Sequence, residues 1–148
     1  MTIHLSNHAK GLIAVGRPQT AYAVHQTLFS LDVPANVATT DKIALGVLPA
    51  FCSISDALLF GEGALGAATA NIGFMSGPVD STDDARTSGS ELYAALALNA
   101  SFARLTKGDA LLMPSADVDR AIGLSGFSAA LVGAAGKRLH LLLSFRAT

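Results

Sequence analysis

Charged residues are scarce in this chain. Only 14% of its 148 residues are Asp, Glu, Lys or Arg, against roughly 25% in an ordinary soluble domain. Lys and Arg number 10 and Asp and Glu 11, for a net charge of −1. Arg17, Arg86, Arg104, Arg120, Arg138 and Arg146 are scattered, with no basic run. This excludes the electrostatic footprint of a nucleic-acid binder. Cys52 is the single cysteine, which excludes an internal disulfide framework. Next to Phe51 and two residues before Ile54, it is expected to be a buried, inert thiol. There is no Trp, and Tyr22 and Tyr93 are the two tyrosines; a carbohydrate-binding face built from exposed aromatics is therefore disfavoured. No stretch reaches the ~18 uninterrupted apolar residues of a membrane-spanning helix. Met1–Ser6 lacks the basic region and apolar run of a secretion signal.

Apolar and small residues are abundant instead. Hydrophobic types make up 51% of the chain and the mean hydropathy is +0.46. A chain of this length can build one substantial core. The apolar surplus points to surface meant for burial against other chains, since obligate interfaces resemble a domain core cut in half. The alternative is an Ala- and Gly-rich globular protein with no such surface.

The pattern is that of short strands. From Arg138 to Arg146, Leu139, Leu141, Leu143 and Phe145 fall on one face. Arg138, His140, Ser144 and Arg146 fall on the other, with Leu142 the exception. Side chains alternate along a strand, so this predicts one buried and one mostly wet face. Further strands are expected over 21–31, 42–48, 51–60, 67–75, 110–113, 120–124 and 127–132. Residues 1–19 show no periodicity and are expected to be a loosely attached N-terminal arm on a single domain spanning 20–148. Residues 77–90 form a long polar loop, and Ala-rich 91–105 is the one plausible helix. The fold class is mainly β: an antiparallel β-sandwich or barrel with an N-terminal arm and at most one short helix.

No motif reaches catalytic specificity. Gly61-Glu-Gly63-Ala-Leu-Gly66 matches G-x-G-x-x-G after a strand, but residues 67–75 beyond it are strand-like and no second βαβ unit exists. A tight turn between two antiparallel strands is the expectation. His4 and His8 are four apart without a third ligand, and solvated histidines are expected there. His25 and His140 are expected on strand faces, near Tyr22 or Arg138, hydrogen-bonded or exposed. Asp80, Asp83 and Asp84 crowd one loop. Their spacing is not that of an EF-hand, so an ordinary turn is expected and a divalent ion is the alternative. Asp117 and Asp119 are expected to flank a turn and lack a partner to split their acidities. Ser125 fails the G-x-S-x-G pattern at its last position. No catalytic, cofactor or metal residue is expected, and the chain is not expected to be an enzyme.

The order of segments supplies a resemblance. Ile43-Ala-Leu-Gly-Val-Leu-Pro49 is followed by the 51–60 strand, a Gly turn and Ala70-Asn-Ile-Gly-Phe74. A long Asp/Ser loop and an Ala-rich stretch come next. The end is Gly133-Ala-Ala-Gly-Lys-Arg-Leu-His-Leu-Leu-Leu-Ser-Phe145. From about Ala21 onward this is similar to small β-sandwich structural proteins of tailed bacteriophages, many of them head decoration, or cement, proteins. Ala50-Phe51 departs from the charged residue and Gly common after Pro49 in that group. The resemblance implies a non-enzymatic virion protein on the capsid surface. Its partners would be the major capsid protein and itself, as a homotrimer or homodimer, with no nucleic acid, membrane or cofactor. Residues 1–19 would reach to a neighbouring subunit. A tail or head–tail junction protein is the alternative within that class, and a ligand- or carbohydrate-binding β module the alternative outside it.

Overall fold

In the computed structural model, which describes residues 1–18, 20, 23–99, 102–105 and 107–148, the chain is a two-sheet β-sandwich, as its sequence predicts. The strands among the described residues are β1 (Ile3–Leu5), β2 (Val24–Asp32), β3 (Lys42–Leu48), β4 (Cys52–Glu62), β5 (Thr69–Phe74), β6 (Tyr93–Ala97), β7 (Ala103–Arg104), β8 (Arg120–Ser125) and β9 (Arg138–Ala147). A one-turn helix, α1, spans Asp109–Leu112. One sheet runs β1-β3-β8-β5-β6 and the other β2-β9-β4-β7. Each pair is antiparallel except β1 with β3, which is parallel.

The core lies between the sheets. Leu139, Leu141, Leu143 and Phe145 all point inward from β9, as the alternation requires, and are fully buried. With Phe29 and Leu59 they pack in one cluster with Ile43, Leu45, Ile72, Ile122 and Leu124 of the facing sheet. Gly46 of β3 makes room for this packing. A Cβ there would stand 3.0 Å from Phe29 Cδ2 and 3.3 Å from Leu141 Cδ2.

The five-stranded sheet is covered on its outer side too. Ala44, Ala121 and Met75 form a second small cluster with Ile3 and Ala9. Gly73 and Gly123 sit opposite each other on β5 and β8. Any side chain at either position would collide with Gly89 and Glu91 or with Met75 and the Ile43 carbonyl, so the two glycines let the 75–91 segment lie flat on the sheet. Arg86, buried, holds that segment together. Its Nε donates to Ser76 O at 2.6 Å and its Nη1 to Ser81 O at 2.7 Å. Because both faces of β3 are covered, its sequence is nearly continuous in apolar residues.

Several sequence expectations are corrected. The opening residues are not loosely attached. Ile3–Leu5 adds a parallel strand to β3, and the Ser6 hydroxyl donates to Leu45 O at 2.7 Å while accepting from Ala9 N at 3.2 Å. Further on, Arg17 pairs with Asp119 at 2.9 Å. A three-residue strand is too short to show periodicity, which is why the pattern missed it. The 21–31 strand is present from Val24, its first two residues lying outside the described ones.

The expected helix over 91–105 is instead β6 and β7, with Ala100 and Ser101 outside the described residues. Alanines gain only a few tenths of a kcal/mol each in a helix. Burying Leu92, Tyr93 and Leu98 is worth about 1.5–3 kcal/mol apiece, and a path through β6 with Leu92 and Leu98 just outside its ends achieves it. The Asn71 side chain then accepts from Ala95 N at 2.8 Å, where the strand kinks with φ +49°. The strand expected over 110–113 is α1, in which only Ala110 is buried. Over 127–132 there is no strand, only a bridge between Leu131 and Val37. Finally, the 61–66 turn joins strands of different sheets rather than a hairpin. Gly63 and Gly66 sit there at φ +79° and +76°, with no helix after them.

Candidate functional site

With the outer side of the five-stranded sheet covered, the outer face of the four-stranded sheet is the broad surface left open among the described residues. It is built in rows, because β2 and β9 are in unbroken register and β4 follows β9 with one bulge between Ile54 and Asp56. The first row is Asp32, Arg138 and Glu62, with Arg138 Nε donating to Asp32 Oδ1 at 2.6 Å. The second is Ser30, His140 and Phe60. The middle row is Leu28, Leu142 and Leu58, uniformly apolar. Gln26, Ser144 and Asp56 come next, then Val24, Arg146 and Ser53.

This face is less wet than alternation predicts. His140 and Ser144 are buried. Gln26 Nε2 donates to Ser144 Oγ at 2.9 Å, and the Phe60 ring stacks on the His140 imidazole with centroids 4.7 Å apart. Phe102, 64% exposed and at φ +53°, lies 5.1 Å from Phe60. Arg104 Nη2 donates to Asp56 at 2.6 Å, and that bond holds the Asp56 carboxyl below the usual carboxylate range. Arg146 is exposed and has no ion-pair partner among the described residues.

The fold assembles one constellation that the sequence pattern does not reveal. Ser30 Oγ lies 2.7 Å from His140 Nδ1, and His140 Nε2 lies 2.8 Å from Glu62 Oε2. The carboxylate accepts from Nε2–H, which leaves Nδ1 to accept from the Ser30 hydroxyl. These are the residue types of a hydrolase triad. Ser30, however, lies mid-strand in an unbroken ladder opposite His140. It is not on the sharp strand-to-helix turn that sets a nucleophile beside amide donors. What the network does is lock the imidazole under Phe60. No sequence signal could have found it, since positions 30, 62 and 140 meet only through strand register.

The candidate residues picked out by sequence lie apart from one another. His4 Nε2 is 3.2 Å from Asp41 Oδ2, whereas His8 packs edge-on to Phe29 at 4.7 Å, where burial lowers its pKa. His25 is 6.3 Å from Phe145; its expected neighbour Tyr22 lies outside the described residues. Asp83 accepts from Ala85 N within its own turn, and Asp80 shares the loop that Arg86 organises. Asp119 accepts from Ala50 N at 2.8 Å, while Asp117 is exposed. Ser125 pairs with Asn71 in the ladder. Cys52 is buried, which pushes its thiol pKa up. Among the described residues no three His, Cys, Asp or Glu side chains converge as metal ligands.

One edge of the open face borders a cleft of about 740 Å3 between β2 and the N-terminal segment, lined by His4, His8, Leu28, Ser30, Asp32 and Arg138. Asp41 secures the far wall by accepting from Thr2 N at 2.8 Å and Ala38 N at 2.9 Å. Burial acts to raise its pKa, but those amides and His4 outweigh it, so the carboxyl is held below its ordinary value. A depressed carboxylate contributes stability that is present above the unfolded pKa of ~3.9 and is lost as pH falls through the lower folded value. Protection of the β1 amides, measured as hydrogen exchange relative to their intrinsic rates at each pH, should therefore fall below about pH 4. Asp41→Ala should cost about 2 kcal/mol in denaturant unfolding at neutral pH, for the loss of charge-assisted bonds.

The described residues form a sandwich with one open, partly apolar face, and comparison with solved structures identifies the class as phage capsid structural proteins. A chain in the capsid of Ralstonia phage GP4 matches with a TM-score of 0.89 and 31% identity, over 99% of this chain and 98% of that one. The chain belongs to the family of that GP4 capsid protein. A chain of the cyanophage Pam1 capsid asymmetric unit shares the fold, with a TM-score of 0.59 and 13% identity over 93% of this chain and 96% of that one. No family model and no curated protein matches.

Proposed function

We propose that this protein is a capsid decoration, or cement, protein that binds the outer surface of a phage head lattice as an oligomer, with the major capsid protein as its partner. The observation that carries the reading is the near full-length kinship with a chain of the GP4 capsid. Its low charge and its exposed apolar side chains, among them Leu28, Phe51, Phe102 and Leu112, suit a component that is buried against its neighbours. A cement protein performs no chemistry. It adds burial at about 25 cal/mol per apolar Å2 before association costs, and repetition over a lattice multiplies a modest gain per copy.

The test is the copy number of this chain in purified particles, by quantitative mass spectrometry against the other virion proteins. Hundreds of copies in a simple ratio to a more abundant shell protein are expected. A few to a few tens of copies would move it to the tail or neck, and rank as the most abundant shell component would make it the shell subunit itself.

A further inference from the structure

We propose that β2 pairs with β2 of a second copy, antiparallel and centred on Leu28, so that two four-stranded sheets join into one of eight strands. β2 is an edge strand of nine residues in unbroken register with β9, and its outward-facing residues Val24, Gln26, Leu28, Ser30 and Asp32 are all exposed. Long, flat edges are normally blunted by proline, lysine or a bulge because their unpaired amides and carbonyls template another strand. β2 carries none of the three, and the 740 Å3 cleft leaves space beside it.

The charge pattern selects a second copy as the occupant. Pairing about a two-fold axis through Leu28 sets Gln26 opposite Ser30 of the partner and Val24 opposite Asp32 of the partner. The row Glu62–Arg138–Asp32, with one excess negative charge, then continues into the partner's Val24–Arg146–Ser53, with one positive charge. The same contact recurs at the other end, and each brings Arg146, which has no ion-pair partner among the described residues, toward the partner's Asp32, a carboxylate that also accepts from its own Arg138. In the middle, Leu58–Leu142–Leu28 becomes a continuous strip of six leucines. Ser30 and Gln26 meet as a hydroxyl and an amide. A shift of two residues along the strand breaks the charge rows, and a shift of one turns the leucines to the wrong face. The contact is isologous and closed, so it yields a dimer rather than a filament.

The purified 148-residue chain tests this. Light scattering after gel filtration should give twice the 15.1 kDa chain mass. Arg146→Glu should raise the dimer dissociation constant roughly tenfold, the size of two symmetry-related exposed charge contacts. Asp32→Arg added to Arg146→Glu should restore it. The register is read by cysteine cross-linking. Leu28→Cys should form an interchain disulfide on mild oxidation, because opposed strand positions lie within bridging distance. Gln26→Cys should not link to itself, being about 14 Å from its symmetry mate, but should link to Ser30→Cys in a mixture. The half-exposed Leu28 site spares the core, and the buried Cys52 stays out of the reaction. A monomer or trimer would overturn the proposal, as would equal cross-linking at Leu28 and Gln26. Cross-linking of Leu28→Cys to the shell protein but not to itself would assign the edge to that protein instead. None of these outcomes depends on where the protein sits in the virion.

Discussion

Tyr93→Ala should destabilise the fold by about 4 kcal/mol, enough to leave a marginal domain largely unfolded. The ring is completely buried in β6, in a stretch whose alanines have no means of filling the space. Its hydroxyl faces Ala103 O at 2.8 Å and Ala57 O at 3.1 Å, stitching β7 and β4 to the opposite sheet. Two terms should separate in denaturant unfolding. Tyr93→Phe keeps the volume and loses only the polar contact. It should cost about 1 kcal/mol, because Ala57 O still accepts from Leu105 N at 2.9 Å. Burial also pushes the phenol's pKa well above its ordinary value. The Tyr93 absorbance should therefore convert to tyrosinate only as the chain unfolds in alkali, not near pH 10 as a solvated phenol would.

Leu141→Ala should be nearly as damaging, at roughly 4 kcal/mol, while Leu142→Ala next to it should cost less than about 1 kcal/mol. The two residues differ only in which face of β9 they occupy. Leu141 reaches across the sandwich toward Gly46, which has no side chain to relax into a vacated space, so the cavity stays open. That geometry makes a sharper test through a double-mutant cycle. Gly46→Ala alone should destabilise, since its methyl would crowd Phe29 and Leu141. In the Leu141→Ala background the same methyl occupies part of the cavity and its cost should fall or change sign. Additive effects would mean that the two sheets do not interlock there.

The inner half of the molecule was legible because alternation is a local signal. Leu139, Leu141, Leu143 and Phe145 declare their face within nine residues, and Ile43 and Val47 do so almost as clearly. What local pattern could not supply was partnership. Nothing near Ile3 says that it will lie beside Lys42, and nothing in the alanines of 91–105 reveals that Tyr93 has carbonyls waiting on another sheet. His140 and Ser144 read as solvent-facing because polar residues on a strand usually are. Ser30, Glu62 and Phe60, each far away in sequence, cover the imidazole, and Gln26 bonds to Ser144. The resemblance to phage structural proteins rested on segment order. The open sheet face and its uncapped edge became visible only once the strands were ordered.

β9 also sets the timing of the molecule's birth. It lies between β2 and β4, so the four-stranded sheet has no middle until roughly 100 further residues have emerged behind β2 from the ribosome, some 5–20 s at typical elongation rates. Until then β2 and β4 are apolar strands without their common neighbour, and the nascent chain presents far more open edge than the finished one. Pairings this distant in sequence close slowly, on a scale of milliseconds to seconds. Heavy expression should therefore find its bottleneck in that interval, where one unfinished chain can offer another the strand that β9 has yet to provide.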